Sequence, residues 1–103
     1  MSDEQRAEYV QAPQYARDIG WALYELRHGG KVRRAGWNGK GMFLVYVPGN
    51  KGIHFTEGSP YQVAGLSNGD IDPHIDMFTA KGTMQPGWLC SQADLLATDW
   101  ETA

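Results

Sequence analysis

The segment 34–47 constrains the fold of this chain most strongly, because it joins a turn sequence to the clearest strand sequence present. Its second half, Phe43–Val47, consists of aromatic, β-branched and leucine residues, a composition typical of a strand. Asn38-Gly39 lies before it, and this dipeptide favours hairpin turns because both positions tolerate a positive φ angle. With 31–34 as the first arm, the segment predicts a β-hairpin whose tip lies at 37–40.

The tip of the predicted hairpin carries side chains that suit a nucleotide ligand. The indole of Trp37 can stack on a base, which contributes about 1–3 kcal/mol per base, and Arg34 and Lys40 can neutralise phosphate. Asn38 can hydrogen-bond a ribose hydroxyl or a base edge, and the backbone N–H groups around Gly39 can form an anion-binding nest. A peptide-binding or assembly surface explains the same residues, so the pattern leaves both interpretations open.

The composition restricts the class of protein. A chain of 103 residues with 42% hydrophobic residues is predicted to form one small domain. The net charge of −3 does not favour duplex nucleic acid as a partner, because such proteins usually carry a basic surface. The single cysteine, Cys90, excludes an internal disulfide and is typical of a reducing cytosol. No apolar run approaches the roughly 20 residues of a membrane span, so we expect no membrane association.

Two helices are predicted on either side of the hairpin in sequence. Residues 1–14 are polar and are predicted to be a flexible tail, and 15–103 are predicted to form a single ligand-binding domain. Helical spacing predicts a first helix at 15–27 whose apolar stripe is Tyr15, Ile19, Ala22, Leu23 and Leu26. Trp21 and Tyr24 lie off this stripe, which indicates an interface with another subunit.

The C-terminal quarter predicts a short helix and a last strand. Ser91 followed by Asp94 resembles a capping box, so a helix is predicted to begin at Ser91 and to end near Thr98. A strand is predicted at 99–101. The free N–H groups at the start of this helix, beside Trp88, can form one wall of a ligand site. The predicted fold class is therefore α+β, with a small antiparallel sheet, an N-terminal helix and a short C-terminal helix in a single domain.

The segment 70–77 alternates polar and apolar residues and predicts another strand. Its polar row, which includes His74 and Asp76, contains side chains that bind metals. Alternate residues on a strand are about 6–7 Å apart, which is too far for all four side chains of this polar row to bind one metal ion. We therefore expect no metal site, and we expect His74 or Asp76 to act as a single hydrogen-bonding group in a pocket.

Motifs that would indicate catalysis are absent from the sequence. It contains no nucleophile elbow, no phosphate-binding Walker loop and no dinucleotide fingerprint. Cys90 with His74 is a conceivable nucleophile and base, but a lone cysteine beside leucine is more often a small buried hydrophobic residue. The sequence therefore predicts a binding protein with no catalytic residue and no cofactor.

Two blocks, Gly-Trp-Asn-Gly-Lys at 36–40 and Trp-Leu-Cys-Ser-Gln-Ala-Asp at 88–94, resemble a known family. Together with similar residues at 19–23 and 73–77, they make the chain similar to the small phage Thoeris anti-defence proteins of the second type. This resemblance implies a non-catalytic protein that sequesters a cyclic nucleotide immune signal, either a cyclic ADP-ribose isomer or a cyclic oligonucleotide. It also implies action against Thoeris or CBASS-type immunity in the cytoplasm of the infected host, and a homotetramer with pockets at subunit interfaces.

The resemblance also implies roles for individual residues. Trp37 would stack on a base with Asn38 beside it, and Asp94 with Ser91 and Gln92 would supply polar contacts. The complete set of expected ligand-binding residues is Arg34, Trp37, Asn38, Gly39, Lys40, Phe43, His74, Trp88, Ser91, Gln92 and Asp94.

Two alternatives belong to other classes of protein. The first is a small assembly or toxin-like protein that uses its aromatic surfaces without any small ligand. The second is a metal-dependent phosphodiesterase for cyclic nucleotides that uses Asp72, His74 and Asp76 as metal ligands.

Overall fold

The computed structural model of the protein describes residues 17–103. The tail predicted at 1–14 and the predicted start of the first helix at Tyr15 lie outside these residues. The first described helix, α1, covers Ile19–Arg27. It begins there because the Asp18 side chain caps it, accepting a hydrogen bond from the backbone N–H of Trp21. It ends before Gly29, which has a φ of 85° and allows the chain to reverse.

The elements that follow are short and mostly strands. In chain order they are β1 (Val32–Arg34), β2 (Phe43–Val47), β3 (Asn50–His54), α2 (Pro60–Val63), β4 (Asn68–Ile71), β5 (His74–Phe78), β6 (Met84–Pro86), α3 (Gln92–Leu95) and β7 (Trp100–Thr102). Across residues 17–103, the helices are all too short or too polar to cross a bilayer.

One antiparallel sheet of five strands, in the order β6-β5-β2-β1-β7, forms the body of the protein. Leu44 at its centre lies opposite Val32 on β1 and Met77 on β5. A second sheet pairs β3 with β4, with α2 between them. The predicted α+β class, with its antiparallel sheet, N-terminal helix and short C-terminal helix, is confirmed.

The core lies where α1 packs on β1, β2 and β7 of the sheet. Its buried side chains are Ala22, Leu26, Val32, Leu44 and Trp100. Each fully buried valine or leucine side chain contributes about 1.5–3 kcal/mol to the stability of the fold. The predicted stripe of α1 agrees, because Ala22 and Leu26 are buried and Ile19 and Leu23 pack against them.

The hairpin is antiparallel as predicted, but its connection is not an Asn-Gly turn. No non-glycine residue among 17–103 has a positive φ angle, and Gly39 has none either, so Asn38-Gly39 does not adopt the predicted turn. The chain instead turns after β1, where the carbonyl of Arg34 accepts from the N–H of Trp37, and again at Gly41, whose φ is 76°. This wider connection brings the indole of Trp37 back against the core.

Two other boundaries also differ from the predictions. The strand predicted at 70–77 is divided between two sheets, with the break at Pro73, because proline lacks the N–H that a continuous ladder requires. The predicted C-terminal helix ends at Leu95 instead of Thr98. The short helix α2 lies between β3 and β4 in sequence, and it begins with Ser59 as its N-cap and Pro60 in its first turn.

Candidate functional site

A hydrogen-bonded cluster forms around Asp94, which is 9% exposed. Its Oδ1 accepts from Nη1 of Arg34 at 2.8 Å and from Nε1 of Trp37 at 3.0 Å. Its backbone N–H donates to Oγ of Ser91 at 3.1 Å, because Ser91 is the N-cap of α3 as predicted. Its carbonyl accepts from Nε1 of Trp100 at 3.2 Å. These five residues, the Asp94 cluster, join the β1–β2 connection to the C-terminal segment.

Arg34 is shared between two carboxylates. Its Nε donates to Oδ1 of Asp99 at 2.8 Å, and Oδ2 of Asp99 accepts from the N–H of Gly36 at 2.8 Å. The hydrogen bond from Arg34 lowers the pKa of Asp99 despite partial burial. Burial acts to raise the pKa of Asp94, but hydrogen bonds from Arg34 and Trp37 outweigh it, so this pKa is lowered as well. Hydrogen bonds to Asp99 and Asp94 raise the pKa of Arg34.

The lowered pKa of Asp99 makes part of the stability sensitive to acid. A carboxyl whose pKa is lower in the folded chain contributes fully above its unfolded-state pKa of about 3.9, and the contribution is lost as the pH falls through the folded-state pKa. We expect the free energy of unfolding in urea to fall more steeply between about pH 5 and pH 2 for the wild type than for Asp99→Asn. Identical slopes for the two proteins would contradict this assignment.

The sequence predicted the indole of Trp37 at the exposed tip of a hairpin. In the structure this indole is half-buried. Its ring meets that of Trp100 edge to face, with centroids 5.4 Å apart, and Trp88 meets Trp100 in the same way at 6.2 Å. Such pairs contribute about 0.5–1.5 kcal/mol beyond the area that they bury. The three indoles therefore connect the β1–β2 connection to the segment before α3.

A shallow groove of about 300 Å³ lies on the outer side of Trp37. Its lining is Arg33, Arg34, Ala35, Trp37, Gly39, Lys40, Gly41 and Glu101. Most of its positive charge is compensated, since Nε of Arg33 lies 3.0 Å from Oε1 of Glu101 and Arg34 is bound to two carboxylates. Among the described residues Lys40 forms no salt bridge, and Asn38 beside it is exposed.

A larger cleft, of about 590 Å³, opens between α1, β2 and the start of β5. Its lining is Leu23, Leu26, Arg27, Tyr46, Pro73, His74, Ile75, Gly87 and Trp88. Leucine and isoleucine side chains give it an apolar wall, Tyr46 and Trp88 supply aromatic rings, and Arg27 and His74 supply nitrogen donors. Its volume falls within the range of about 300–1,000 Å³ found for small-molecule sites. We call it the α1 cleft.

His74 is held at the edge of the α1 cleft by two oxygens. Its Nδ1 lies 2.9 Å from the backbone carbonyl of Asp72, and its Nε2 lies 3.3 Å from Oδ1 of Asp76. Asp76 is 9% exposed and accepts from the N–H of Gly87 at 3.2 Å. Within residues 17–103, no three His, Cys, Asp or Glu side chains converge as metal ligands would.

The structure distributes the predicted site residues over several places. Arg34, Trp37, Ser91 and Asp94 belong to the Asp94 cluster, Gly39 and Lys40 line the groove, and His74 and Trp88 line the α1 cleft. Asn38 and Gln92 are exposed. Phe43 stacks on Phe78 with centroids 4.8 Å apart, and Nζ of Lys31 lies 4.8 Å from the Phe43 centroid.

The sequence did not predict that Arg27 and Tyr46, which supply a charge and an aromatic ring to the α1 cleft, would line a ligand site. Arg27 was assigned only to the last turn of α1, and Tyr46 only to a strand. Strand alternation places Tyr46 on the same face as the core residue Leu44, and this was the one available signal. No local sequence pattern indicates that Arg27 and His74 line the same cleft, because these residues come from elements far apart in sequence.

The environment of Cys90 does not suit a nucleophile. Burial of its thiol, and next the negative charge of Asp94, raise its pKa, whereas reactive cysteines have a lowered pKa. The thiol also donates to the carbonyl of Ser91 at 3.5 Å, and its pairing with His74 as a base has no support in the hydrogen bonds of residues 17–103.

Comparison with known proteins identifies the family of the chain. The family model described as the Thoeris anti-defense 2-like domain matches residues 17–103. A relative from Bacillus phage SP01, named Thoeris anti-defense 2, is 32% identical in an alignment over 88 residues that covers 81% of this chain and 90% of the relative. The residues matched by the family model include the hairpin, the α1 cleft and the Asp94 cluster. The chain belongs to the family of the Thoeris anti-defense 2-like domain.

Proposed function

We propose that this protein is a phage anti-defence protein that binds a cyclic nucleotide immune signal and sequesters it without cleaving it. The observation that carries the proposal is the α1 cleft, where two aromatic side chains and two nitrogen donors line a cavity of about 590 Å³. Membership of the Thoeris anti-defense 2-like family supports the anti-defence role. The ligand is a cyclic ADP-ribose isomer or a cyclic oligonucleotide, the blocked pathway is Thoeris or CBASS-type immunity, and the protein acts in the host cytoplasm.

The lining of the α1 cleft matches the parts of such a ligand. Tyr46 and Trp88 offer rings on which a base stacks, at about 1–3 kcal/mol per base. Arg27 offers a guanidinium, whose hydrogen bonds to a phosphate are each worth about 1.5–3 kcal/mol. Leu23 and Leu26 supply an apolar wall that excludes water. Stacking, charge neutralisation and desolvation therefore act on one molecule in one cavity.

The Asp94 cluster supports this site from behind. Trp88 lies at the start of the segment that leads to Ser91, and its ring packs on Trp100, whose Nε1 is bound to Asp94. Holding this segment in place reduces the freedom that Trp88 loses on binding a ligand, which increases affinity. In this proposal Arg34, Trp37 and Asp94 hydrogen-bond one another and orient the wall of the cleft, and they do not hydrogen-bond the ligand.

Assembly into a homotetramer forms part of the proposal, because a sponge that competes for a scarce signal requires nanomolar affinity, about −12 kcal/mol. An open cleft on one protomer does not supply this. Exposed apolar side chains support assembly: Leu89 is 89% exposed, Leu96 is 74% exposed, and Tyr24 on α1 is 60% exposed. In a tetramer, exposed polar residues of a second subunit, such as Asn38 and Gln92, would complete the pocket.

Native mass spectrometry of the purified protein tests this function. We expect a species of four chains that gains mass when a cyclic dinucleotide or a cyclic ADP-ribose isomer is added. Heat denaturation should then release the nucleotide intact, as judged by chromatography against the untreated compound. Release of a linear product would overturn the proposal in favour of a phosphodiesterase, and the absence of any mass gain would overturn it in favour of an assembly protein.

A further inference from the structure

We propose that Asp76 is a positioning residue of the α1 cleft, whose buried carboxylate fixes the bend at Gly87 and so presents the indole of Trp88 to the base of the ligand. This inference rests on the proposed function and deepens it, because it names the group that holds one stacking wall in place. It follows from the hydrogen bonds that join β5 to residues 86–88.

The bend before Trp88 lies where the regular pairing of β6 with β5 stops. β6 ends at Pro86, which has no N–H to donate, and Gly87 has a φ of 79°, which an extended strand does not adopt. No helix or strand includes residues 87–91. The sheet therefore does not position Trp88 through a continued strand, and other contacts must do so.

Two consecutive N–H groups connect this bend to β5. The N–H of Gly87 donates to Oδ1 of Asp76 at 3.2 Å, and the N–H of Trp88 donates to the backbone carbonyl of Ile75 at 2.7 Å. The second bond uses backbone atoms alone, which any residue at position 75 provides. The first bond requires an acceptor on the side chain at position 76. Asp76 is therefore the side chain that holds the bend.

The carboxylate of Asp76 is buried, although it belongs neither to the core nor to the surface of the cleft. Ile75 and Met77 pack against the core, so alternation along β5 places Asp76 on the opposite face of the strand. Asp76 is 9% exposed and does not line the α1 cleft. A buried charge is costly unless it is hydrogen-bonded, so the groups that it contacts indicate its role.

Both groups that Oδ1 of Asp76 meets belong to residues that line the cleft. It accepts from Gly87 and lies 3.3 Å from Nε2 of His74. The inference needs only the N–H of Gly87, which is a donor whatever the charge of the imidazole. Asp76 thus acts from behind the wall, on the residue before Trp88, while Trp100 contacts the Trp88 ring itself.

A fixed bend increases affinity because Trp88 then loses less freedom when a base stacks on it. Glycine gives the backbone at position 87 many accessible conformations, and each reorients the indole that follows. Ordering such a side chain on binding costs free energy, which a bond already present in the free protein avoids. We expect loss of the acceptor to weaken binding by roughly 5- to 50-fold, within the contribution of one stacked base.

Calorimetric titration with a cyclic dinucleotide and with a cyclic ADP-ribose isomer tests the inference. Asp76→Ala removes the acceptor and should show the loss given above. Asp76→Asn removes the charge but keeps an oxygen that accepts from Gly87, so its affinity should lie within about threefold of the wild type. Gly87→Ala keeps Asp76 and should weaken binding as well. Open space surrounds the added Cβ, so this effect comes from the positive φ and not from a clash.

Asp70→Ala and Gly52→Ala are the matched controls. Oδ1 of Asp70 accepts from the N–H of Gly52 at 2.8 Å, and Gly52 has a φ of 64° with open space around it. The same kind of bond therefore holds the same kind of bend in the second sheet, and neither residue lines the α1 cleft. Both controls should keep wild-type affinity. Equal losses in Asp70→Ala and Asp76→Ala would overturn the inference.

The indole N–H signals in a proton–nitrogen NMR spectrum report the position of Trp88 without any ligand. The Trp88 signal, assigned with Trp88→Phe, should shift or broaden in Asp76→Ala and return to its wild-type position in Asp76→Asn. The Trp37 signal should keep its wild-type shift in both variants, because Asp94 holds that indole. A general loss of stability would not move one indole signal and leave the other in place.

The outcomes separate this inference from the function on which it rests. Wild-type affinity and an unmoved Trp88 signal in Asp76→Ala would overturn the positioning role and leave sequestration standing. Equal losses in Asp76→Asn and Asp76→Ala would also overturn it, because charge and not the acceptor would then matter. Failure of the wild type to bind either ligand would overturn the proposed function, while the Trp88 signal would still show whether Asp76 holds the bend. If Asp76→Ala is unfolded, Gly87→Ala serves for both measurements.

Discussion

Replacing Asp94 by alanine is expected to lower the free energy of unfolding by about 2–4 kcal/mol, the largest loss expected for any polar side chain among residues 17–103. The substitution leaves Nη1 of Arg34 and Nε1 of Trp37 without the oxygen that both now share. A partly buried donor that loses its acceptor costs about 1–3 kcal/mol, and a charged donor costs more. The acid also lies in the first turn of α3, where a negative charge stabilises the helix.

Urea and thermal unfolding followed by tryptophan fluorescence measure this loss. In a domain of this size, 1 kcal/mol shifts the melting temperature by about 4–8 °C, so a loss of about 2–4 kcal/mol should lower it by roughly 8–32 °C. Glu101→Ala is the matched control, because it also removes one carboxylate from an arginine, Arg33, in a half-exposed pair. That change should cost less than about 1 kcal/mol. Equal losses in the two variants would refute the central position of Asp94.

A double-mutant cycle isolates the bond between Asp94 and Trp37. Trp37→Phe retains an aromatic ring against Trp100 and removes the five-membered ring of the indole, with the N–H that reaches Oδ1 of Asp94. For residues in direct contact, the coupling free energy is about 0.5–3 kcal/mol. We expect a coupling in this range between Trp37→Phe and Asp94→Ala, and a coupling near zero between Trp37→Phe and Glu101→Ala. Additive losses in the first pair would show that the hydrogen bond contributes nothing to the fold.

Removing the guanidinium of Arg27 is expected to weaken binding of a cyclic nucleotide by roughly 10- to 100-fold without loss of stability. The side chain is exposed on the last turn of α1, so its truncation leaves the core intact. Charge-assisted hydrogen bonds to a phosphate are worth about 1.5–3 kcal/mol each, which corresponds to this range of affinity. Calorimetry of Arg27→Ala at pH 7 gives the dissociation constant, and thermal unfolding gives the stability.

Arg33→Ala is the matched control for this measurement, because Arg33 is another exposed arginine but lines the groove outside Trp37 instead of the α1 cleft. We expect wild-type affinity for this variant. The opposite result, with strong loss in Arg33→Ala and none in Arg27→Ala, would place the ligand in the groove. The ligand site would then be the groove and not the α1 cleft, and Trp37 would stack on the base with Lys40 and Asn38 beside it.

Local sequence signals predicted the elements whose physics is local. The apolar stripe of α1, the strand at Phe43–Val47 and the N-cap at Ser91 depend on neighbours within a few residues, and the structure confirms all three. The antiparallel pairing of β1 with β2 is also confirmed. It was predictable because the two arms are close in sequence. The predicted turn within 35–42 was wrong, because the contact of Trp37 with the core overrides the preference of Asn-Gly for a tight turn.

The amino-acid sequence by itself determined the α+β class, the family and the kinds of side chain available to a ligand, because these depend on periodicity, caps and local motifs. Only the tertiary structure decided how those side chains are used. The carboxylate of Asp94 is bound by Arg34 and Trp37 inside the protein, whereas Arg27 and His74, separated in sequence, open onto one cleft. A hydrogen bond or a cavity wall depends on distances in space, and the packing of α1 against the sheet, with Trp100 of β7 in the core between them, sets those distances.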